Sequence, residues 1–309
     1  MNIPTATATA TNPTTTTPLP FPPSSFITAL EHNKGSLYVG SIAGEFRIYK
    51  NISSKSTSNS ISNENPYQWK FDKPILGIVF FENKIFILHP NNITLYDNDN
   101  NNDNKIFNTL EKFNLKDNEK SYQCIKINQE SNILILGIND GTILMYNLPD
   151  LIIIDKYDIS NDLNNSNKLQ NFDLFNYFLI ISISNGSNIL FDISNKNFFK
   201  LGIQDSGFKY PITTDLKFLN NESNFNDIPP YELIYAQSGI EGKISVIKLK
   251  IELQTDPTVT INTAAKIAPI SSCINPSGLI INKENTEKFI FKAHRSKLNS
   301  IIEKAEEKV

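Results

Sequence analysis

The feature that most constrains the fold is a hairpin-like unit that recurs five times along the 309-residue chain. Each unit has an apolar run, a turn of small or polar residues and a second, alternating run, which is typical of a β-hairpin. The turns are centred on Gly44, Asn92, Gly141, Gly186 and Gly242, at intervals of about 45 to 56 residues. A unit of this size cannot bury its apolar face alone, so we expect the units to stack on one another.

A further apolar segment precedes four of the hairpins and predicts a third strand for those units. These segments are residues 75–81, 123–127, 169–173 and 212–218. We expect a fourth strand to cross from each unit to the next. Repeated four-stranded units predict an all-β chain of the WD-repeat kind, folded as a β-propeller with five recognisable blades.

The ends of the chain and one internal stretch do not share the repeat. Residues 1–24 are rich in Thr and Pro and are predicted to form a disordered tail. The blades are predicted within residues 25–295, with a long surface insertion at about 250–287. Residues 296–309 form a C-terminal tail whose apolar spacing also fits a short helix.

Charge and hydropathy exclude several classes of partner. The formal net charge is -3, so there is no global basic field, and we expect no direct DNA binding and no membrane partner. The N-terminus lacks a secretory signal, and no apolar run reaches the ~18 residues of a membrane span. The two cysteines, Cys124 and Cys273, lack the spacing of a disulfide framework or a zinc site. The sequence predicts a soluble protein of the cytosol or nucleus.

The residue types that most often carry catalysis form no recognisable constellation. The three histidines stand singly, at His32, His89 and His294. None has the spacing or the neighbouring cysteine that a metal site requires, and no nucleophile elbow or glycine-rich phosphate loop occurs. We therefore expect no metal, no cofactor and no enzymatic activity.

Carboxylates at the ends of the predicted strands have a simpler interpretation. They are Asp97, Asp140 and Asp192. An Asp at such a position normally accepts backbone N–H bonds within a turn. We predict that these three residues cap turns.

Three motifs around the fifth unit carry basic residues in a recognisable pattern. They are residues 206–210, residues 238–246 with Lys243, and residues 288–295 with Lys292. Together they resemble the fifth blade of the Bub-type mitotic checkpoint propeller, the budding uninhibited by benzimidazole family, and of the related mRNA-export propeller of the nuclear pore. Residues 73–81 are similar to the opening of the second blade in fungal checkpoint members. The resemblance extends over about residues 26–295 and is specific in the last hundred.

The resemblance implies a non-enzymatic scaffold of the mitotic spindle assembly checkpoint, in the nucleus and at kinetochores in mitosis. The family's propeller docks a checkpoint kinase, or its pseudokinase-like relative, through a short helical motif. It binds a phosphorylated kinetochore scaffold and is implied to join the inhibitory assembly of the anaphase-promoting complex. The alternative is an mRNA-export adaptor of the nuclear pore. The family has seven blades, so the resemblance implies that two C-terminal blades are missing from this sequence; a closed ring of five blades is the alternative.

The resemblance also assigns site residues. Lys243 and Lys292 match the positions that bind the phosphate of the phosphopeptide, and Lys209 and Arg295 are expected to support them. Two ammonium groups make charge-assisted hydrogen bonds to a phosphate that an unmodified threonine cannot make.

The chain departs from the family at two turns. Family members carry a Ser-Trp-Asp turn in the first and third blades, where this chain has residues 41–43 and 137–140 without an aromatic residue. We therefore expect weaker or rearranged binding of the helical motif.

Overall fold

The computed structural model describes residues 22–50, 66–97, 107–159, 168–202, 213–220, 231–239, 243–253 and 279–292. Regular structure within these ranges is β-strand, apart from one 3-10 turn at Glu111–Phe113. No helix in these parts of the chain is long and apolar enough to cross a membrane.

Twenty strands form five antiparallel sheets of four strands each, and within every sheet the strands neighbour one another in chain order. Sheet by sheet, they are β1 Ile27–Asn33, β2 Ser36–Ser41, β3 Glu45–Tyr49, β4 Tyr67–Lys70; β5 Gly77–Phe81, β6 Lys84–Leu88, β7 Ile93–Asp97, β8 Phe107–Thr109; β9 Tyr122–Asn128, β10 Ile133–Ile138, β11 Thr142–Asn147, β12 Ile152–Asp158; β13 Leu169–Phe175, β14 Phe178–Ile183, β15 Asn188–Asp192, β16 Asn197–Gly202; β17 Thr213–Phe218, β18 Tyr231–Gly239, β19 Lys243–Leu253, β20 Leu279–Lys292.

The five predicted hairpins are confirmed as the second and third strands of the five sheets. The apolar segments before them are confirmed as the first strands β5, β9, β13 and β17. The fourth strands differ from the prediction. They do not cross to the next unit but pair with the third strand of their own sheet, because each sheet is an antiparallel meander closed by its own next segment.

The sheets pack face to face in chain order. The first strands β1, β5, β9, β13 and β17 are the strands through which neighbouring sheets meet, so they are innermost. Four apolar clusters fill the spaces between successive sheets, from the first and second to the fourth and fifth. This arrangement confirms an all-β propeller with five blades. Among the described residues, none of these clusters joins the first sheet to the fifth.

Close approach between blades depends on glycine at two equivalent positions. A Cβ at Gly40 would lie 2.4 Å from the Ile75 side chain of the second sheet. A Cβ at Gly137 would lie 2.7 Å from the Phe172 ring of the fourth sheet. Such contacts are not tolerated in a close-packed interior. A side chain at either glycine would therefore push neighbouring blades apart.

The structure changes two predicted boundaries. The tail was predicted to run to residue 24, but the Ser24 backbone N–H and hydroxyl both donate to the Glu45 carboxylate, which ties the end of this segment to the first sheet. The insertion was predicted at about 250–287, but β19 continues to Leu253 and β20 begins at Leu279. The two ends of the predicted insertion pair with each other as strands, with Ile251 opposite Ile281 and Leu253 opposite Leu279. Residues 1–21, 254–278 and 296–309 lie outside the described residues.

A buried carboxylate ties three blades together. Lys126, Asp173 and Lys217 are each the fifth residue of the first strand of their sheets. Lys126 Nζ lies 2.5 Å and Lys217 Nζ lies 3.9 Å from Asp173 Oδ1. The Phe218 N–H donates to Asp173 Oδ2 at 2.7 Å. The third, fourth and fifth sheets therefore meet at one carboxylate, whose side chain is only 4% exposed.

Replacing Asp173 with Ala should lower the free energy of unfolding by about 2 to 4 kcal/mol, because a buried N–H loses its acceptor and two lysines lose their counter-charge. Asp173→Asn should cost less, since the amide oxygen can still accept from the Phe218 N–H. The control is Asp155→Ala, which removes an ion pair to the exposed Lys196 and a hydrogen bond from the Tyr157 hydroxyl and should cost about 1 kcal/mol. Urea unfolding measures all three. Equal losses for Asp173→Ala and Asp155→Ala would contradict the inter-blade role.

Candidate functional site

The two predicted phosphate-binding lysines occupy directly opposite positions. Lys243 is the first residue of β19, Lys292 is the last of β20, and the two form the terminal pair of the ladder between these strands. Residues directly opposite in an antiparallel pair lie on the same face of the sheet with Cβ atoms about 4.5 to 5.5 Å apart. The fold thus brings together two positions that are far apart in sequence. Lys209 and Arg295 lie outside the described residues.

The lysine pair lies at the end of the fifth sheet where the β18–β19 turn emerges. Ser245 and Ile247, two and four positions further along β19, are buried, and Ile247 belongs to the apolar cluster between the fourth and fifth sheets. Side chains alternate along a strand, so position 243 lies on the face towards the fourth sheet. The pair therefore stands at the rim of the junction between these two sheets.

The equivalent turns of the other blades gather at the same end. The Ser41 carbonyl in the first turn accepts from the Ile75 N–H, just before the second sheet begins. The Asn139 carbonyl in the third turn accepts likewise from the Leu169 N–H, at the start of the fourth sheet. Each turn is thus fixed to the beginning of the next blade. We call this end of the propeller the turn face.

Two lysines in directly opposite positions are expected to repel each other and so to lower the stability of the sheet. Like charges directly opposite on a sheet are unfavourable by roughly 0.2 to 1 kcal/mol. An anion between Lys243 and Lys292 would offset that cost.

A buried polar network supports the junction beneath the lysine pair. Asn188 Nδ2 donates to Gln237 Oε1 at 2.7 Å and contacts the Tyr235 hydroxyl at 3.3 Å. Gln237 lies directly opposite Ser245. All four side chains are buried, and burial raises the pKa of Tyr235, so its hydroxyl stays neutral. Within the described residues, Asn188 Oδ1 and Ser245 Oγ have no hydrogen-bond partner.

This network was not predicted. Its signal in the sequence is the presence of Gln237 and Ser245 at inward positions of two alternating strands. An apolar residue is normally expected there, and a buried polar one needs partners from another strand. The partner, Asn188, is supplied by the fourth sheet and can be recognised only from the packing.

An apolar pair stands on the turn face of the first blade. Ile42, in the turn where the family has an aromatic residue, is 51% exposed. Its N–H donates to the carbonyl of Phe26, whose side chain is 77% exposed. Phe26 comes from the segment before β1 and therefore offers an aromatic ring beside a turn that lacks one. This role of Phe26 was not predicted, because the residue adjoins the predicted tail.

The third turn, the other place where the family's aromatic residue is absent, is closed by its own hydrogen bonds. Asn139 accepts from the Ser121 N–H and donates to the Glu119 carbonyl. Asp140 accepts from the Thr142 N–H and pairs with Lys120 at 2.9 Å. This turn offers no apolar platform.

The predicted capping role is confirmed for two of the three carboxylates. Asp140 accepts from the Thr142 N–H, and Asp192 accepts from the Asn195 N–H at 3.1 Å. The side chain of Asp97 lies outside the described part of the chain.

Two potentially reactive side chains, those of His89 and Cys124, lie in environments that indicate a structural role. Burial lowers the pKa of His89, whose Nδ1 lies 2.9 Å from the Pro74 carbonyl oxygen. Burial raises the pKa of the Cys124 thiol, which keeps it protonated and unreactive. His32 is exposed. Across the ranges that the structure describes, no three His, Cys, Asp or Glu residues form a group that could hold a metal ion.

Comparisons with known proteins give a resemblance in overall shape alone. No family model and no curated protein matches this sequence. Among solved structures, the chain is similar to U3-55K, with 7% identity, a TM-score of 0.48 and coverage of 74% of this chain and 78% of that one. It is similar to the β-propeller domain of Cps50 (Swd1) from Myceliophteria thermophila, with 11% identity, a TM-score of 0.42 and coverage of 71% and 68%. It also resembles the computationally designed Ika8 protein, with 14% identity and a TM-score of 0.42, over 71% of this chain and 57% of that one. The assignment of the fold rests on the strand order and pairing described above.

The opposed lysines predict an unusual effect of charge reversal on stability. Lys243→Glu should raise the free energy of unfolding by about 0.5 kcal/mol at low salt, because it turns a repulsive cross-strand pair into an attractive one. The double variant Lys243→Glu with Lys292→Glu restores like charges and should lose this gain. Thermal unfolding in a buffer free of multivalent anions measures both. A destabilised single variant, or a double variant as stable as the single one, would contradict the pairing.

Proposed function

We propose that this propeller is a non-enzymatic scaffold that binds phosphorylated peptides through Lys243 and Lys292. In this proposal it acts in the spindle assembly checkpoint, in the nucleus and at kinetochores in mitosis, where it docks checkpoint kinases onto phosphorylated kinetochore repeats. The observation that carries the proposal is the direct opposition of the two lysine positions at the end of the β19–β20 ladder.

Two opposed lysine positions suit a phosphate better than an unmodified hydroxyl. A phosphate carries about −1.5 to −2 charges at neutral pH and several acceptor oxygens, so it can accept from two ammonium groups at once. An unmodified threonine offers one neutral hydroxyl. The lysine pair would therefore distinguish the modified peptide from the unmodified one by charge, while the protein as a whole, with a formal net charge of -3, does not attract anions in general.

The second ligand of the proposed scaffold is a short helical motif of a checkpoint kinase or its pseudokinase-like relative. Phe26 and Ile42 support this part because both expose apolar side chains on the turn face and a backbone hydrogen bond joins them. An amphipathic helix presents its apolar stripe to such a surface. The inhibitory assembly of the anaphase-promoting complex is proposed as a further partner because the same family resemblance implies it.

A peptide with the sequence Met-Glu-Leu-Thr tests the proposed phosphopeptide binding directly. With a phosphothreonine it should bind the wild-type protein, and without the phosphate its affinity should fall by about tenfold to a hundredfold, which corresponds to losing hydrogen bonds to a charged group. Lys243→Glu and Lys292→Glu should each remove the preference for the phosphorylated peptide. Isothermal titration calorimetry with each peptide gives the affinities.

The matched control is Lys248→Glu, which makes the same change in net charge on the same strand. Lys248 pairs with Glu232 at 3.2 Å, and its position is five residues from Lys243, so alternation places it on the other face of the sheet. The control should keep the phosphate preference. Equal binding of both peptides by the wild-type protein would refute the proposed phosphopeptide binding. So would an equal loss of the phosphate preference in Lys248→Glu and Lys243→Glu.

A further inference from the structure

The segment before β1 is hydrogen-bonded to the first sheet through Ser24. The Ser24 N–H donates to Glu45 Oε2 at 3.0 Å, and the Ser24 hydroxyl donates to Glu45 Oε1. Two residues further along the chain, the Phe26 carbonyl accepts from the Ile42 N–H at 2.9 Å. Residues 22–26 therefore lie against the turn between β2 and β3, and we call them the N-terminal strap.

The acceptor of both Ser24 bonds is a buried, ionised carboxylate. Glu45 is buried, and Arg47 Nη2 pairs with its Oε2 at 3.2 Å. The hydrogen bond from the Ser24 hydroxyl lowers the pKa of Glu45, so this carboxylate carries its charge at neutral pH. Hydrogen bonds to a charged group are stronger than those between neutral groups. The attachment of the strap therefore depends on a donor at position 24 and a negative charge at position 45.

Ser24 is accessible to a modifying enzyme although its hydroxyl is hydrogen-bonded. The residue is exposed and lies outside the strands. Pro22 and Pro23 precede it, and proline favours an extended backbone over a helix. Exposed, irregular segments next to a folded domain are the places where other enzymes most readily reach a chain.

We propose that Ser24 is a phosphorylation site and that its phosphorylation releases the N-terminal strap from the first sheet. A protein kinase would transfer the terminal phosphoryl group of ATP to Ser24 Oγ. The new bond joins Oγ to phosphorus, and the bond that breaks joins this phosphorus to the oxygen that bridges it to the diphosphate. ADP leaves with that oxygen, and the proton of the hydroxyl is released.

The modification replaces a hydrogen-bond donor with a doubly charged anion beside a carboxylate. Before it, the charges of Glu45 and Arg47 balance each other. A phosphate adds about −1.5 to −2 charges at neutral pH and cannot donate to Glu45 as the hydroxyl does. Arg47 is already paired, and Lys70, opposite Glu45 in the ladder between β3 and β4, is exposed, where an ion pair contributes little. Repulsion from Glu45 therefore outweighs these attractions.

Release of the strap would free the Ile42 N–H and withdraw the Phe26 ring from the turn face. Phe26 is 77% exposed, so burial of its ring contributes little to holding the segment in place. The release itself does not depend on the proposed function, whereas its effect on the docking of a helical motif rests on it.

Amide hydrogen exchange followed by NMR measures the release. In the full chain with phosphoserine incorporated at position 24, the Ile42 amide should exchange at least about tenfold faster than in the unmodified protein, because hydrogen bonds to a charged group are lost. The Leu169 amide, which donates to the Asn139 carbonyl at the third turn, should exchange at its former rate. Phosphoserine at Ser131, an exposed residue between β9 and β10, is the matched control and should leave both amides unchanged.

Glu45→Gln distinguishes repulsion from simple crowding by the phosphate. The amide oxygen can still accept from the Ser24 N–H but carries no charge, so phosphorylation should accelerate Ile42 exchange less in this variant than in the wild-type protein. Equal Ile42 exchange in phosphorylated and unmodified wild-type protein overturns the proposal. So does the same acceleration in Glu45→Gln as in wild type, an equal acceleration of the Leu169 amide, or the same effect from phosphoserine at Ser131.

Discussion

The structure depends on burying the apolar faces of four-stranded sheets against their neighbours. A single sheet of this size has more apolar surface than it can hide, so the sheets stack through their innermost strands and share four apolar clusters. The stacking distance is set where glycine allows close contact, as at Gly40 against Ile75. The contact between neighbouring sheets is strengthened where Asp173 accepts from the Phe218 N–H and pairs with Lys126. Apolar packing provides most of the free energy, and these local features fix the relative positions of the blades.

The candidate site follows from that constraint. Stacking in chain order brings equivalent turns to one end of the propeller, and the ladder between β19 and β20 ends there with Lys243 opposite Lys292. The adjoining network of Asn188, Gln237 and Tyr235 is buried at the junction of two sheets. Binding groups at the edges of blades can vary without loss of the core, which is why one propeller architecture serves many ligands.

The sequence predicted the parts of the fold that follow from local periodicity. Hairpins such as the one around Gly141 were predicted correctly because their alternation and turn residues act over a few positions. The fourth strands were expected, but the residues that form them were not located, and β12 illustrates the reason. Its residues 152–154 are an unbroken apolar run with a bulge, so they lack the alternation that identifies a strand. The insertion boundaries were wrong because the strand pairing of Leu253 with Leu279 is non-local.

The site was predictable only in part for the same reason. The resemblance pointed to Lys243 and Lys292, but these two residues become a register pair only because the 48 residues between them fold back correctly. Neither the partnership of Asn188 with Gln237 nor that of Phe26 with Ile42 has a local signal, because each joins residues from different sheets or from outside the repeat.

The most direct measurement is a crystal structure of the protein with a bound phosphothreonine peptide. The account predicts that the phosphate lies between Lys243 and Lys292, with both Nζ atoms within hydrogen-bond distance of its oxygens. The account would be contradicted by a phosphate bound elsewhere, or by Lys243 and Lys292 side chains that point away from each other with no phosphate between them.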